Sequence, residues 1–203
     1  MPGFSIRSGS HAVLFGVEES NTLTDAAPKD RFVFSTTWSN ETWNLLARLT
    51  QGLDAPGLWW LSGYTAGQTP QPTYEQVSAG HTGHTEAVRV LYDPSQVSYA
   101  QLVDYFWRHI DPTVKDQQFC DVGPQYRSGI YWQNEAERAT AEASRDALIK
   151  SGRFSTIHTE LAPSSMFYLA EDYHQDYYKK NELRYSYYRL SCGRDARVKK
   201  LWG

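Results

Sequence analysis

Hydrophobic and polar positions alternate along this chain with two distinct periods. Thr85 to Tyr92, TEAVRVLY, switches side at every residue, with Glu86, Val88, Val90 and Tyr92 on one side and Ala87, Arg89 and Leu91 on the other, as in a strand. In SYAQLVDYFWRHI the apolar residues Leu102, Val103, Phe106 and Ile110 recur at helical spacing behind a Ser98/Gln101 capping box, and Asp111-Pro112 stops the pattern. The same reading predicts a short strand at Arg31 to Phe34 and a helix capped by Ser39, with Trp43, Leu46, Ala47 and Leu49 on one face. A buried strand in LWWL follows, then a strand in SGIYW and a helix over Glu135 to Lys150 with Gly152 as its C-cap. A strand in STIHTEL and a short helix around Tyr173 to Lys180 complete the prediction. The glycines and prolines of SGYTAGQTPQPTY forbid regular structure there and suggest an ordered functional loop. Strands interleaved with long helices indicate an α+β fold.

Length and charge narrow the classes. At 203 residues the chain is most simply one domain over residues 31–203, preceded by a polar, irregular arm over residues 1–30. The apolar run Ala12 to Val17 is too short to span a membrane and lacks the flanks of a signal peptide, so a soluble cytoplasmic protein is expected. The net charge is −3 and the only basic cluster is small (Arg194, Arg197, Lys199, Lys200), which argues against nucleic acid as a partner. Two cysteines, Cys120 and Cys192, are too few for a disulfide framework and lack zinc-site spacing, leaving buried fillers or reactive thiols. The 14 tyrosines and 7 tryptophans suit either a bulky core or an aromatic-lined pocket.

Taken singly, the chemical signals are weak. His81, His84 and Glu86 in GHTGHTEA have a spacing that could bind metal, but no helix brings the imidazoles together and a turn feeding a strand is the better reading. Asp121 and Tyr126 in CDVGPQYRS are a carboxylate and a phenol in a loop just before a strand. In order, however, SGYTAGQTPQPTYEQVSAGHTGHTEAVRVLY, then DVGPQYRSGIY, then FYLAEDYHQDYYKKN and CGRD resemble the A-type methionine sulfoxide reductases, the peptide-methionine (S)-S-oxide reductase family, from about residue 31 to the C-terminus. The resemblance implies a two-layer α/β sandwich around a mixed sheet. It assigns the glutamate of GHTEA to Glu86, the tyrosine of PTY to Tyr74, the loop aspartate to Asp121 and the tyrosine of QYR to Tyr126. In the family a thiolate attacks the sulfoxide sulfur while the glutamate protonates the departing oxygen, and a second thiol resolves the sulfenic acid.

One part of that machinery is missing. Aligning Trp38 and Glu41 with the family's GCFWxxE turn places Thr36 at the cysteine and Thr37 at the phenylalanine, and no cysteine precedes Cys120. A threonine hydroxyl cannot be oxidised to a sulfenic acid, so the standard cycle cannot run at Thr36. Cys120 stands where the family has the asparagine before its aspartate, Pro124 replaces a threonine, and Cys192 resembles the tail cysteine that resolves.

Three functions compete on this basis. The leading expectation is non-redox acid/base chemistry, an isomerisation, cyclisation or dehydration of an oxygen-bearing small molecule, with Glu86 as proton donor if burial among Trp38, Tyr74 and Tyr126 raises its pKa. The alternatives are a reductase whose nucleophile has moved to Cys120 with Cys192 resolving, served by a thioredoxin-like reductant, and a binding protein without turnover. The candidate catalytic residues are Glu86, Asp121, Tyr74, Tyr126 and Cys120, and the candidate substrate contacts Thr36, Thr37, Trp38 and His84, with neither metal nor cofactor required.

Overall fold

A computed structural model describes residues 30–35 and 59–203. The strands are β1 (Asp30–Ser35), β2 (Trp59–Thr65), β3 (Thr85–Tyr92), β4 (Gln117–Gln118), β5 (Asp121–Val122), β6 (Gly129–Trp132), β7 (Glu160–Pro163) and β8 (Tyr168–Leu169). The helices are α1 (Tyr74–Ser78), α2 (Tyr99–Arg108), α3 (Glu135–Lys150), α4 (Tyr177–Lys180), α5 (Glu182–Ser191) and α6 (Arg194–Trp202), with a 3₁₀ turn at Pro124–Tyr126. Thr36, Thr37, Trp38, the helix expected after Ser39 and the arm before Asp30 lie outside the described residues.

Six strands form one mixed sheet in the order β7-β6-β1-β3-β2-β8. All its pairings are antiparallel except that of β6 with β7, which is parallel. Helices α2 and α3 cover one face, where Leu102, Val103, Phe106 and Ala141 pack on Val88, Val90 and Ile130. Burial of each large side chain in that layer contributes about 1.5–3 kcal/mol. The opposite face is closed by Val33, Ala87, Tyr131 and Phe167. β3 is therefore covered on both sides. Ala87 is fully buried, and the Arg89 guanidinium lies 4.1 Å from the centre of the Phe167 ring.

Local signals explain where prediction and structure agree. The Ser98/Gln101 box forms reciprocally and starts α2 at Tyr99. Asn134 caps α3, which runs over Glu135–Lys150 as its periodicity predicts, and Gly152 follows its end with a φ of +71°. The stretch SGYTAGQTPQPTY is more ordered than its composition suggests. Its first four residues complete β2, and its last two form the Thr73 cap and first residue of α1, with Gln76 returning the bond to the Thr73 N–H. STIHTEL is strand only from Glu160, because the His158 N–H donates to Pro112 O (2.8 Å) and the Thr159 hydroxyl contacts Ser128 Oγ (3.0 Å) instead of joining the ladder.

The C-terminal helices α5 and α6 have no counterpart in the sequence prediction, because α5 is largely exposed and α6 has only a short, half-buried apolar set (Val198, Leu201, Trp202) at its end. Tyr185 is the buried residue of α5 and Arg194 that of α6. Polar contacts dock α6 beside the Trp202 ring, which packs on Phe154 and the core. Arg194 donates to His109 O (3.0 Å), Arg197 to Asp111 Oδ2 (2.6 Å), and the Trp202 indole to Ile110 O (3.0 Å). The Asp111 side chain is 4% exposed. Burial pushes its carboxyl up, but the Arg197 and Thr113 hydrogen bonds outweigh burial and hold it below the ordinary aspartate value. A depressed folded value stabilises above the unfolded pKa, and that stability is lost as pH falls through the folded value. Arg197→Met is expected to cost about 1–3 kcal/mol at neutral pH, since it strips a buried carboxylate of its strongest partner. Urea unfolding at pH 7 and pH 3 checks this. The gap between variant and parent should shrink at the lower pH, and a gap indifferent to pH would remove the ion pair as its cause.

Candidate functional site

The start of β3, the end of β2 and the loop through β5 converge on Glu86, which is 4% exposed. Tyr64 sits opposite Glu86 in the β2–β3 register. Its hydroxyl donates to Glu171 Oε2 (2.7 Å), while Glu171 Oε1 accepts the Tyr74 N–H (2.8 Å). One carboxylate thus fixes both β2 and the first turn of α1, which carries Tyr74. The Thr85 hydroxyl contacts Gln125 O (3.0 Å) and Arg127 O (3.3 Å), and Gln125 Nε2 reaches Ser78 O (3.0 Å). These bonds pin the 3₁₀ turn bearing Tyr126 against both β3 and α1. Pro124 occupies the first position of that turn, where its missing N–H costs nothing. Gly123 before it has a φ of +145°, open in practice only to glycine.

The electrostatics tie the predicted residues together. Burial raises the Tyr126 hydroxyl to about 12, helped by the charges of Glu86, Tyr74 and Asp121. Tyr74 is raised by burial and then by Glu86, Asp121 and Glu171. Both phenols therefore stay protonated at neutral pH and serve as hydrogen-bond donors. Asp121 is pushed above the ordinary aspartate value by burial, which the Tyr188 hydrogen bond and Arg194 only partly offset.

His84 is 2% exposed, and its Nε2 donates to Thr69 O (2.8 Å), so its ring braces the loop before β3. Gly67 makes room for it, since a Cβ there would lie 2.4 Å from His84 Cγ and backbone N. His81 is exposed, and among the described residues no three His, Cys, Asp or Glu side chains converge to hold a metal.

Cys120 and Cys192 form a disulfide, with Cα atoms 5.4 Å apart across 72 residues of sequence. Cys120 is exposed, which sets aside the buried-filler reading for that residue. The sequence gives no hint of Tyr188 on α5, yet its hydroxyl donates to Asp121 Oδ1 and lies 3.3 Å from Cys120 Sγ. Glu86, Tyr126 and Asp121 all raise the Tyr188 pKa, after burial and the Asp121 hydrogen bond. Tyr188 therefore links the disulfide to the carboxylate–phenol cluster. Tyr64 and Glu171 were also missed as site residues, although both lie inside stretches that carried the resemblance.

The peptide methionine sulfoxide reductase family matches residues 58–203. Among curated relatives, the chain is 48% identical over 142 residues to peptide methionine sulfoxide reductase MsrA 2 of Caulobacter vibrioides, covering 70% of this chain and 72% of that protein. It is also 48% identical over 144 residues to MsrA of Halalkalibacterium halodurans, covering 70% and 82%. Among solved structures, methionine sulfoxide reductase A of Corynebacterium diphtheriae superposes with a TM-score of 0.63 at 32% identity, covering 76% of each chain. Reduced Mxr1 from Saccharomyces cerevisiae superposes with a TM-score of 0.65 at 29% identity, covering 78% of this chain and 88% of that one. These relatives overturn the expectation of a non-redox isomerase, cyclase or dehydratase, because proteins that keep nearly half of these residues are named as sulfoxide reductases. No helix among the described residues is long and apolar enough to cross a membrane.

Proposed function

The chain belongs to the peptide methionine sulfoxide reductase family, and from that premise we propose that it reduces the S epimer of methionine sulfoxide with Cys120 as nucleophile and Cys192 as resolving thiol. The observation that carries the reading is the Cys120–Cys192 disulfide beside Tyr188 and Asp121, within the field of Glu86 and Tyr126. A disulfide between these residues is the product that such a cycle leaves behind. The Cys120 thiolate attacks the sulfoxide sulfur. The S–O bond breaks as the oxygen takes a proton from Glu86 and ends on Cys120 as a sulfenic acid, and the methionine thioether departs. Cys192 then attacks the sulfenic sulfur, closing the disulfide and releasing water. In sum, one sulfoxide and two thiols give one thioether, one disulfide and water.

Tyr74 and Tyr126 supply hydroxyl donors to the sulfoxide oxygen, because burial and neighbouring carboxylates keep both protonated. The disulfide must be reopened by an external dithiol, and a thioredoxin-like protein fits because Cys120 is exposed to it. The substrate is a methionine sulfoxide residue, free or in a peptide.

Incubation with each epimer of methionine sulfoxide and excess dithiothreitol tests this. The S epimer should yield methionine over many turnovers and the R epimer none. A protein that leaves both epimers untouched after full reduction of its disulfide is not a reductase.

A further inference from the structure

We infer that Tyr188 is the positioning residue for disulfide closure: its bond to Asp121 holds the Cys192 end of α5 over Cys120 while the two sulfurs are apart. This deepens the reductase reading and rests on Cys120 and Cys192 as its two thiols. The geometry is one of register. Cys192 ends α5 with helical backbone angles (φ −71°, ψ −12°), and its N–H donates to Tyr188 O (3.0 Å). The two side chains therefore leave the helix one turn apart on the same face. Facing them are neighbours in sequence. Cys120 bonds to Cys192, and Asp121 accepts from the Tyr188 hydroxyl, which also lies 3.3 Å from Cys120 Sγ. Helix and loop thus meet at two points, one covalent and one polar, and only the covalent one opens and closes during the cycle.

The polar point matters when the covalent one is open. In the resolving step Cys192 attacks the sulfenic sulfur of Cys120, the S–O bond breaks, and the hydroxyl leaves as water with the proton of the Cys192 thiol. The rate of such an intramolecular step scales with the fraction of time the two sulfurs spend in attacking geometry. Asp121 follows Cys120 directly in the chain, so a Tyr188 hydroxyl bound to it brings Cys192 to the sulfenic sulfur before any S–S bond exists. Without that hold, the sulfenic acid waits for its partner on an exposed residue.

The rest of the molecule sets the size of the effect. Most of α5 faces solvent: Leu183, Tyr187 and Leu190 are exposed, and Tyr185 is its buried residue. After Cys192 the chain turns at Gly193 (φ +63°) into α6, where Arg194 bonds to His109 O and Arg197 to Asp111. Cys192 is bracketed, with α6 holding the chain after it and Tyr188 the chain before it. Removing the Tyr188 hydroxyl frees one side only, so closure should slow rather than stop.

The test takes the fully reduced protein and adds dithiobis(nitrobenzoate), which releases thionitrobenzoate in two phases. One thiol first forms a mixed disulfide with the reagent, and the other then displaces the second thionitrobenzoate and closes the ring. The second phase does not depend on reagent concentration and is absent from Cys192→Ser. Tyr188→Phe keeps the ring and removes the hydroxyl. It should slow the second phase by about tenfold, the scale of one hydrogen bond to a charged group, and leave the first phase unchanged. In an Asp121→Ala background the same substitution should change the second phase little, because the bond is already gone. A second phase at the parent's rate in Tyr188→Phe overturns the proposal, and so does an undiminished tenfold loss in the Asp121→Ala background. Equilibration with glutathione supplies an independent readout. Tyr188→Phe should make the disulfide about tenfold easier to reduce, whereas a hydroxyl that merely supports the fold would leave that equilibrium where it is. Neither measurement uses a sulfoxide, so a failure here is distinct from a failure of the reductase reading, which only the epimer assay decides.

Discussion

Cys120→Ser is expected to abolish sulfoxide reduction, a loss on the order of a thousandfold or more, as for removal of the nucleophile from other enzymes that work through a covalent intermediate. The reason is chemical rather than structural. The step requires an atom that donates electrons to a sulfoxide sulfur and then keeps the oxygen, and an alcohol can do neither. With no cysteine ahead of Cys120 in the sequence, no other thiol except Cys192 is left to substitute for it. Cys192→Ser should behave differently. Its Cys120 can still attack once, so each molecule should release one methionine and gain one oxygen atom, visible by mass and trapped by dimedone. Turnover should persist with dithiothreitol, which reduces a sulfenic acid directly, and fail with a protein dithiol that requires a disulfide as its substrate. The reverse pattern, with single turnover surviving Cys120→Ser and absent from Cys192→Ser, would sink this assignment of roles.

The candidate site was legible in the sequence through motif order more than through local physics. Glu86 lies in the alternating β3, and Asp121 and Tyr126 in the loop before β6, but their roles, and Tyr74 altogether, came from the family resemblance, and the Thr73 capping box lay unread in a stretch whose glycines and prolines argued against regular structure. Fold class followed from the same periodicities. What escaped lies where structure is held by long-range polar contacts. α5 exposes most of its apolar side chains, Leu183 at 89% and Leu190 at 81% among them, so no hydrophobic face announces it. Tyr188 belongs to that region, and its meaning depends on a partner 67 residues away. The wrong expectation about chemistry came from treating Thr36 as the fixed point of the mechanism. Whether Cys120 and Cys192 could meet depended on a spatial relation that their separation in sequence does not reveal. The 5.4 Å between their Cα atoms puts them within disulfide reach, while the relatives named as sulfoxide reductases are what overturn the non-redox expectation.

Glu86→Gln should lower kcat/KM for the sulfoxide by about 10²–10⁴-fold, the usual contribution of a positioned general acid. Glutamine fills nearly the same space and keeps a polar group at a site that is 4% exposed, so the fold should survive and KM should change far less than kcat. What it cannot do is release a proton to an oxygen leaving sulfur. Tyr74 and Tyr126 do not replace it, because burial and the charges around them hold their protons too firmly to be given up near neutral pH. They stabilise the developing charge while Glu86 neutralises it. Glu86→Asp should recover only part of the loss, since the proton returns but sits one methylene short of the oxygen, and misplacement of about 1 Å costs on the order of a hundredfold. The decisive contrast is with alkylation of Cys120. Glu86→Gln should leave the thiol reactive, because alkylation needs no proton from Glu86, whereas sulfoxide turnover should collapse. If Glu86→Gln instead turns over within a few-fold of the parent, the proton comes from elsewhere, and Asp121, whose pKa burial raises, becomes the group to test as the acid.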